Sequence, residues 1–203
     1  MNSVEQFLCA SKFWRYLSER ALLPWALSGL CLGDHLLELG AGYGAATRFL
    51  RERVSRVTSL EYDGRATRRL KSRHCSTGGA VLQGDAAQLP FAAQSFSSVI
   101  AVLVLHHLRS QELQDRMFRE VFRVLRPRGV FAALEVHDSW FHRLGHFRST
   151  FLPLDPTSAS VRLRAAGFSQ STVEFRTGGF RITAERAIEA AARFGETATC
   201  AVP

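Results

Sequence analysis

The chain has 203 residues, 26 of them Lys or Arg against 18 Asp or Glu, giving a formal charge of +8, and 46% of it is apolar. That size and balance suit one globular domain and exclude a disordered or low-complexity chain. The longest apolar run, Val99 to Leu105, is far short of a membrane span, and the opening MNSVEQFLCASKFW lacks the basic-then-apolar form of a secretory signal, so a soluble, cytoplasmic chain is expected.

Val4 to Leu30 reads as one or two helices, with Phe7, Phe13, Trp14 and Leu17 as apolar contacts and Pro24 starting the second. Gly33-Asp34 turns the chain into a strand over 36–39, and a helix is expected over 45–53. Between them Gly40, Gly42 and Gly44 form G-x-G-x-G, not the G-x-G-x-x-G of dinucleotide folds. Such a turn lets backbone approach a ligand, and the next helix aims free N–H groups at it. Glu38, two residues ahead of the first glycine, suits a cationic ligand group better than a pyrophosphate. The pattern therefore points to S-adenosylmethionine (SAM), whose amino and sulfonium groups are both positive.

A second strand, 57–60, ends at Glu61, at an offset from Gly40 where a carboxylate can take a ribose diol; a solvated strand-end acid is the alternative. After a helix over 64–72 and a third strand, 80–83, Asp85 is placed to accept from an adenine amino group and the Ala86 N–H to donate to a ring nitrogen. A fourth strand over 99–103 leads to His106-His107. The helix 111–125 carries a stripe of Leu113, Met117, Val121, Val124 and Leu125, and Pro127 is expected to stop it before a strand over 130–136. A long connection covers 137–156, Ser158 to Ala166 forms a helix closed by Gly167, and a hairpin joins Thr172–Arg176 to Phe180–Ala184. From Ala187 on, the Ala-rich sequence reads as a helix and a tail. Alternating strands and helices predict a parallel sheet with helices on both faces.

LLELGAGYG, VTSLEYD, LQGDAAQLPF, SFSSVIAVLVLHHL and REVFRVLRPRGVF occur in this order over residues 33–136, and together they resemble class I SAM-dependent methyltransferases of the small, ubiquinone-biosynthesis-like kind. FLCASKFWRYLSERALLPWAL and LDPTSASVRLRAAGF further resemble a short actinobacterial-type subgroup. The resemblance implies an α/β, Rossmann-like, seven-stranded, mostly parallel sheet with an antiparallel last strand. It also implies an N-terminal helical lid over 1–32 and a SAM-binding domain over 33–203. Cofactor contacts carry over to Glu38, Gly40, Ala41, Gly42, Tyr43, Gly44, Glu61, Tyr62, Asp85, Ala86, Ala101 and Val102, with SAM as methyl donor and S-adenosylhomocysteine (SAH) as product. Two departures stand out. Phe96-Ser97 replaces the usual Phe-Asp, and Pro127-Arg128-Gly129 puts arginine where glycine is preferred.

Methyl transfer requires an acceptor atom held in line and shielded from water, with a base if the acceptor is protonated. His106 and His137 are the candidate bases, with Glu135 as a further one; His106 or His107 can alternatively order the following loop. Trp14, Tyr16, His107 and Trp140 are candidates to line or close the acceptor site, and Phe141, His142, His146, Phe147 and Phe151 share its cover segment. His137, His142 and His146 lack a carboxylate at fixed spacing, so no metal is expected. Cys9, Cys31, Cys75 and Cys200 form no paired motif and are expected as reduced thiols. The arginine-rich charge is dispersed along helices and reads as a solvated face, so a small-molecule acceptor is expected, with monomer and homodimer both open. An RNA methyltransferase and a non-catalytic SAM-binding module are the alternatives.

Overall fold

The computed structural model describes Ser11, Tyr16 and residues 18–74, 79–145 and 149–188. Trp14, with the rest of 1–10, 12–15 and 17 of the expected lid, and the Ala-rich stretch from 189 onward lie outside the described residues. A π-type turn, Ser18–Leu22, runs into helix α1, Leu23–Ala26. Then follow β1 His35–Leu39, α2 Thr47–Arg51, β2 Arg56–Glu61, α3 Gly64–His74, β3 Ala80–Gln83 and β4 Phe96–Val102. A 3-10 turn, Leu105–His107, precedes α4 Gln111–Val124, β5 Leu125–Val136, α5 Trp140–Gly145, α6 Pro156–Ala165, β6 Gln170–Arg176 and β7 Gly179–Glu185.

The strands form one seven-stranded sheet in the order β3-β2-β1-β4-β5-β7-β6. All pairings from β3 to β5 are parallel, whereas β7 is antiparallel to both its neighbours. The expected hairpin is therefore present, with its second strand inserted beside β5. Alternation along the strands supplies two cores. Leu37, Leu39, Val99, Phe131 and Ala133 pack with Met117, Phe118 and Val121 of α4 and Leu163 of α6. Leu36, Ile100, Ala132 and Leu134 face the other way, against Leu23 of α1 and Phe49 and Leu50 of α2. Among the described residues no helix is long and apolar enough to cross a membrane.

Three local findings refine the sequence reading. First, α4 stops at Val124, three residues before Pro127, and β5 begins at once. Proline disfavours helical backbone at the residue before it, and Leu125 already pairs with Phe96, so the chain turns extended early. The β4–β5 register then shifts between Phe96 and Ser98, and Arg128 takes φ +63 there. The arginine thus occupies a left-handed conformation that costs an L-residue about 1–2 kcal/mol. Arg128→Gly is expected to stabilise the protein by about 1 kcal/mol, raising the melting temperature by about 2–4 °C in a calorimetric scan. Second, Ser97, in place of the usual acid, accepts from the His35 N–H at 2.9 Å, with its hydroxyl 2.8 Å from Leu32 O, and ties β4 to the entry of β1. Third, Cys31 is disulfide-bonded, which corrects the expectation of reduced thiols; Cys9, Cys75 and Cys200 lie outside the described residues. Pairing depends on tertiary proximity, which spacing alone does not reveal.

The N-terminal segment is fastened to the hairpin. Arg181 Nη1 donates to Trp25 O at 2.7 Å and Ser28 O at 3.1 Å, at the end of α1 and just beyond it. Arg176 and Arg181 both stand over the Trp25 ring with Cζ 5.7 Å from its centroid, and Glu174 neutralises Arg181 at 2.6 Å.

Candidate functional site at the carboxyl edge of the sheet

Every parallel strand ends at one edge, and the chemistry-bearing residues collect there. Gly40, Gly42 and Gly44 all have positive φ, at +63, +53 and +84. A Cβ on Gly40 would sit 2.5 Å from Val104 Cγ2, so only glycine lets the turn lie against the end of β4. At Gly42 the nearest atom to such a Cβ would be Gly40 O at 3.9 Å, which leaves that side of the turn open. Ala41 and Gly44 are buried within it, and the Ala41 N–H donates to Leu60 O at 3.2 Å. Arg69 Cζ stands 5.5 Å from the Tyr43 ring centroid.

The strand-end acids divide into two kinds. Glu38 is 2% exposed and points inward, where the Thr47 hydroxyl donates at 2.8 Å and the Ser59 hydroxyl at 2.7 Å. It braces the start of α2 against β2 beneath the turn and offers no surface to a ligand amino group. Burial pushes the Glu38 carboxyl above the ordinary carboxylate range, against the hydrogen bonds from Ser59 and Thr47. A carboxyl raised on folding contributes stability below its unfolded pKa and loses it as pH rises through its folded pKa. Glu38 is therefore expected to give stability a downward slope as pH rises above the ordinary carboxylate range, opposed by His35, whose burial lowers its pKa. Glu38→Gln should flatten that slope, as melting temperatures between acidic and neutral pH will show.

Glu61 is half-buried at the edge. Its Oε2 accepts from the Gly42 N–H at 2.7 Å and its Oε1 from the Asp63 N–H at 2.8 Å, so the acid and the glycine turn hold each other. Asp85 uses Oδ1 to accept from the Ala87 N–H at 2.8 Å and forms an isolated bridge with Gln88, with Ala86 half-buried between. Tyr62 is well exposed beside Glu61. Ala101, by contrast, is wholly buried in the core on the α4 side, while Val102 keeps some exposure. Val104 reaches the turn instead, and Leu103 just before it takes φ +58.

The other half of the edge centres on a residue the sequence reading gave a minor part. Glu135, 1% exposed, accepts from the Val104 N–H at 2.8 Å and the Leu105 N–H at 2.7 Å through Oε1. Its Oε2 lies 2.6 Å from His106 Nδ1. His106 is itself only 3% exposed, with the His107 ring 4.2 Å away and Phe151 at 5.5 Å. Gln114 continues the lattice, donating to Leu105 O and Leu152 O at 3.1 and 3.0 Å. His137 lies just past β5, half-buried against Phe175 and Phe180. His142 Nδ1 is within 2.9 Å of His137 O and 2.8 Å of Ser139 Oγ; His146 lies outside the described residues. Trp140 and Tyr16 are exposed.

Comparison with known proteins agrees with this geometry. The family described as a methyltransferase domain matches residues 37–133. Over 156 residues the chain is 28% identical to a probable S-adenosylmethionine-dependent methyltransferase of Mycolicibacterium smegmatis, covering 77% of this chain and 55% of that protein. Over 104 residues it is 34% identical to the phthiotriol/phenolphthiotriol dimycocerosates methyltransferase of Mycobacterium tuberculosis, covering 49% of this chain and 36% of that protein. The chain thus spans about half of the first relative's length (55%) and about a third of the second's (36%). Phosphoethanolamine N-methyltransferase 2 of Haemonchus contortus, solved with S-adenosyl-L-methionine, superposes with a TM-score of 0.71 at 13% identity, over 93% of this chain and 61% of that one. Residues 37–133 thus match a methyltransferase-domain family, and the chain shares the fold of a SAM-dependent methyltransferase.

Proposed function

We propose that the protein transfers a methyl group from SAM to a small-molecule acceptor and releases SAH. The observation that carries this reading is the open side of the glycine turn, flanked at the same edge by the half-buried carboxylates Glu61 and Asp85. This set fits the cofactor. A backbone cradle without side chains suits the methionine portion, and two separated acceptors suit a ribose diol and an adenine amino group. Bound SAM supplies a methyl carbon made electrophilic by its positive sulfur. The chain's own residues then have three tasks. Gly40 to Gly44 bring backbone to the methionine portion, with Glu38 bracing the turn from beneath. Glu61 takes the ribose hydroxyls, while Asp85 and the Ala86 N–H read adenine. His137, partly exposed just past β5, is the better placed of the two candidate bases, because His106 is only 3% exposed.

The test is isothermal titration of the purified protein with SAM and with SAH. Micromolar binding of both is the expected result and opens an acceptor screen with labelled methyl donor. Absence of binding to either by a folded sample would overturn the reading.

A further inference from the structure

The turn that carries Asp85 is short and is held from its far side. The Ala87 N–H donates to Asp85 Oδ1 at 2.8 Å and the Gln88 N–H to Asp85 O at 3.0 Å. Among the described residues, Asp85 Oδ2 and the Ala86 N–H have no protein partner, so both are left to a ligand. The chain then runs through Leu89-Pro90-Phe91, which lies in neither helix nor strand. Backbone polar groups in such a stretch need partners from elsewhere, and Leu89 is buried.

Two side chains of α4 supply them. Glu120 Oε2 accepts from the Leu89 N–H at 2.7 Å. Arg123 Nη2 donates to Leu89 O at 3.0 Å, and Arg123 Nη1 donates to Phe91 O at 2.7 Å. Glu120 and Arg123 are three residues apart and so share one side of the helix. They also grip each other, Nε to Oε1 at 2.7 Å and Nη2 to Oε2 at 2.8 Å. The Arg123 guanidinium holds the Glu120 carboxyl below the ordinary carboxylate range, so it stays an acceptor at neutral pH. The helix is a firm mount, because Met117, Phe118, Val121 and Val124 are fully buried. Its last turn holds the same loop again, where the Gln94 N–H donates to Arg123 O at 3.0 Å.

We infer that Glu120 and Arg123 are positioning residues for cofactor recognition: by fixing Leu89 and Phe91 they set the turn that aims Asp85 Oδ2 and the Ala86 N–H at the edge of adenine. The inference rests on the methyltransferase reading and assigns part of its selectivity to side chains that act only through backbone.

SAH and S-inosylhomocysteine are titrated calorimetrically into the native protein, Arg123→Met, Arg123→Lys, Asp85→Ala and the double variant Asp85→Ala/Arg123→Met. The inosine analogue presents an oxo group to Asp85 and a ring N–H to the Ala86 N–H, so the native protein should prefer SAH by at least about tenfold. Arg123→Met should weaken SAH by about tenfold and the analogue by less than about twofold, erasing most of that preference. Arg123→Lys, which keeps one donor to the loop, should fall between. In the Asp85→Ala background Arg123→Met should cost at most about threefold more, because the group it positions is gone. Equal losses for SAH and the analogue would assign the pair a general structural role and overturn the inference. So would full additivity in the double variant, or native SAH affinity in Arg123→Met. If Arg123→Met does not melt cooperatively, the same comparison in Arg123→Lys decides. Native binding of both ligands with equal affinity would remove Asp85 from the adenine site, and the inference with it, while leaving cofactor binding intact. If the native protein binds neither, the methyltransferase reading fails separately. Amide exchange at Ala87 and Gln88 in the unliganded protein then decides: Arg123→Lys should speed it by at least about fivefold, and unchanged exchange would overturn the inference.

Discussion

Glu135→Ala is expected to lower stability by about 4 kcal/mol, a large part of what holds a domain of this size together. Three donors, the Val104 and Leu105 N–H groups and His106 Nδ1, would lose their acceptor in a site closed to water. A buried donor left unsatisfied costs about 1–3 kcal/mol, and partial relaxation keeps the sum below the maximum. The melting temperature should fall by about 10 °C or more in a calorimetric scan. Glu135→Gln keeps an oxygen for the two backbone donors and disturbs only the histidine, so its loss should be about 1–2 kcal/mol. Near-native melting of the alanine variant would show that the turn carrying Leu103 and Val104 is held by something other than this carboxylate.

The second large effect concerns the cofactor. Glu61→Ala should weaken SAM by about 100-fold, because two charge-assisted bonds to ribose hydroxyls are each worth about 1.5–3 kcal/mol and each 1.4 kcal/mol is tenfold. The same change also frees the Gly42 and Asp63 N–H groups, which now share the carboxylate. Both lie where water can replace it, so stability should fall by only about 1 kcal/mol. Glu61→Gln should lose about tenfold. Calorimetric affinity within threefold of native for the alanine variant would remove Glu61 from the ribose site.

Much of this edge was legible in the chain itself. Apolar runs ending in acids placed β1, β2 and β3, and three alternating glycines announced a turn that needs positive φ. The hairpin was readable from Thr177-Gly178-Gly179 between two alternating segments, and its insertion beside β5 follows the resemblance. Other features leave no local trace. Leu103 adopts positive φ without being glycine, and nothing in Val-Leu-Val forecasts it. The partners of Glu135 lie about thirty positions earlier, so no spacing rule links them to it. Glu38 has the right place for a ligand acid, yet Thr47 and Ser59 turn it inward. The sequence places β5 from 130, whereas the chain is already extended at Leu125: Pro127 disfavours helix only at Arg126, and Leu125 pairs with the distant Phe96.

The fastening of Trp25 by Arg176 and Arg181 has a consequence for biosynthesis. The bond from Arg181 to Trp25 O spans 156 positions, and the strand that carries it pairs with β5 only after the hairpin turns back. A ribosome adds about 5–20 residues per second, so α1 waits roughly ten to thirty seconds for its partner to be synthesised. During that interval the apolar side of α1, including Leu23 and Ala26, can dock on β1 and β4, but the carbonyls at its end have no guanidinium to meet. The segment is thus made well before the strand that secures it. A nascent chain halted before Arg181 would hold the glycine turn without that anchor.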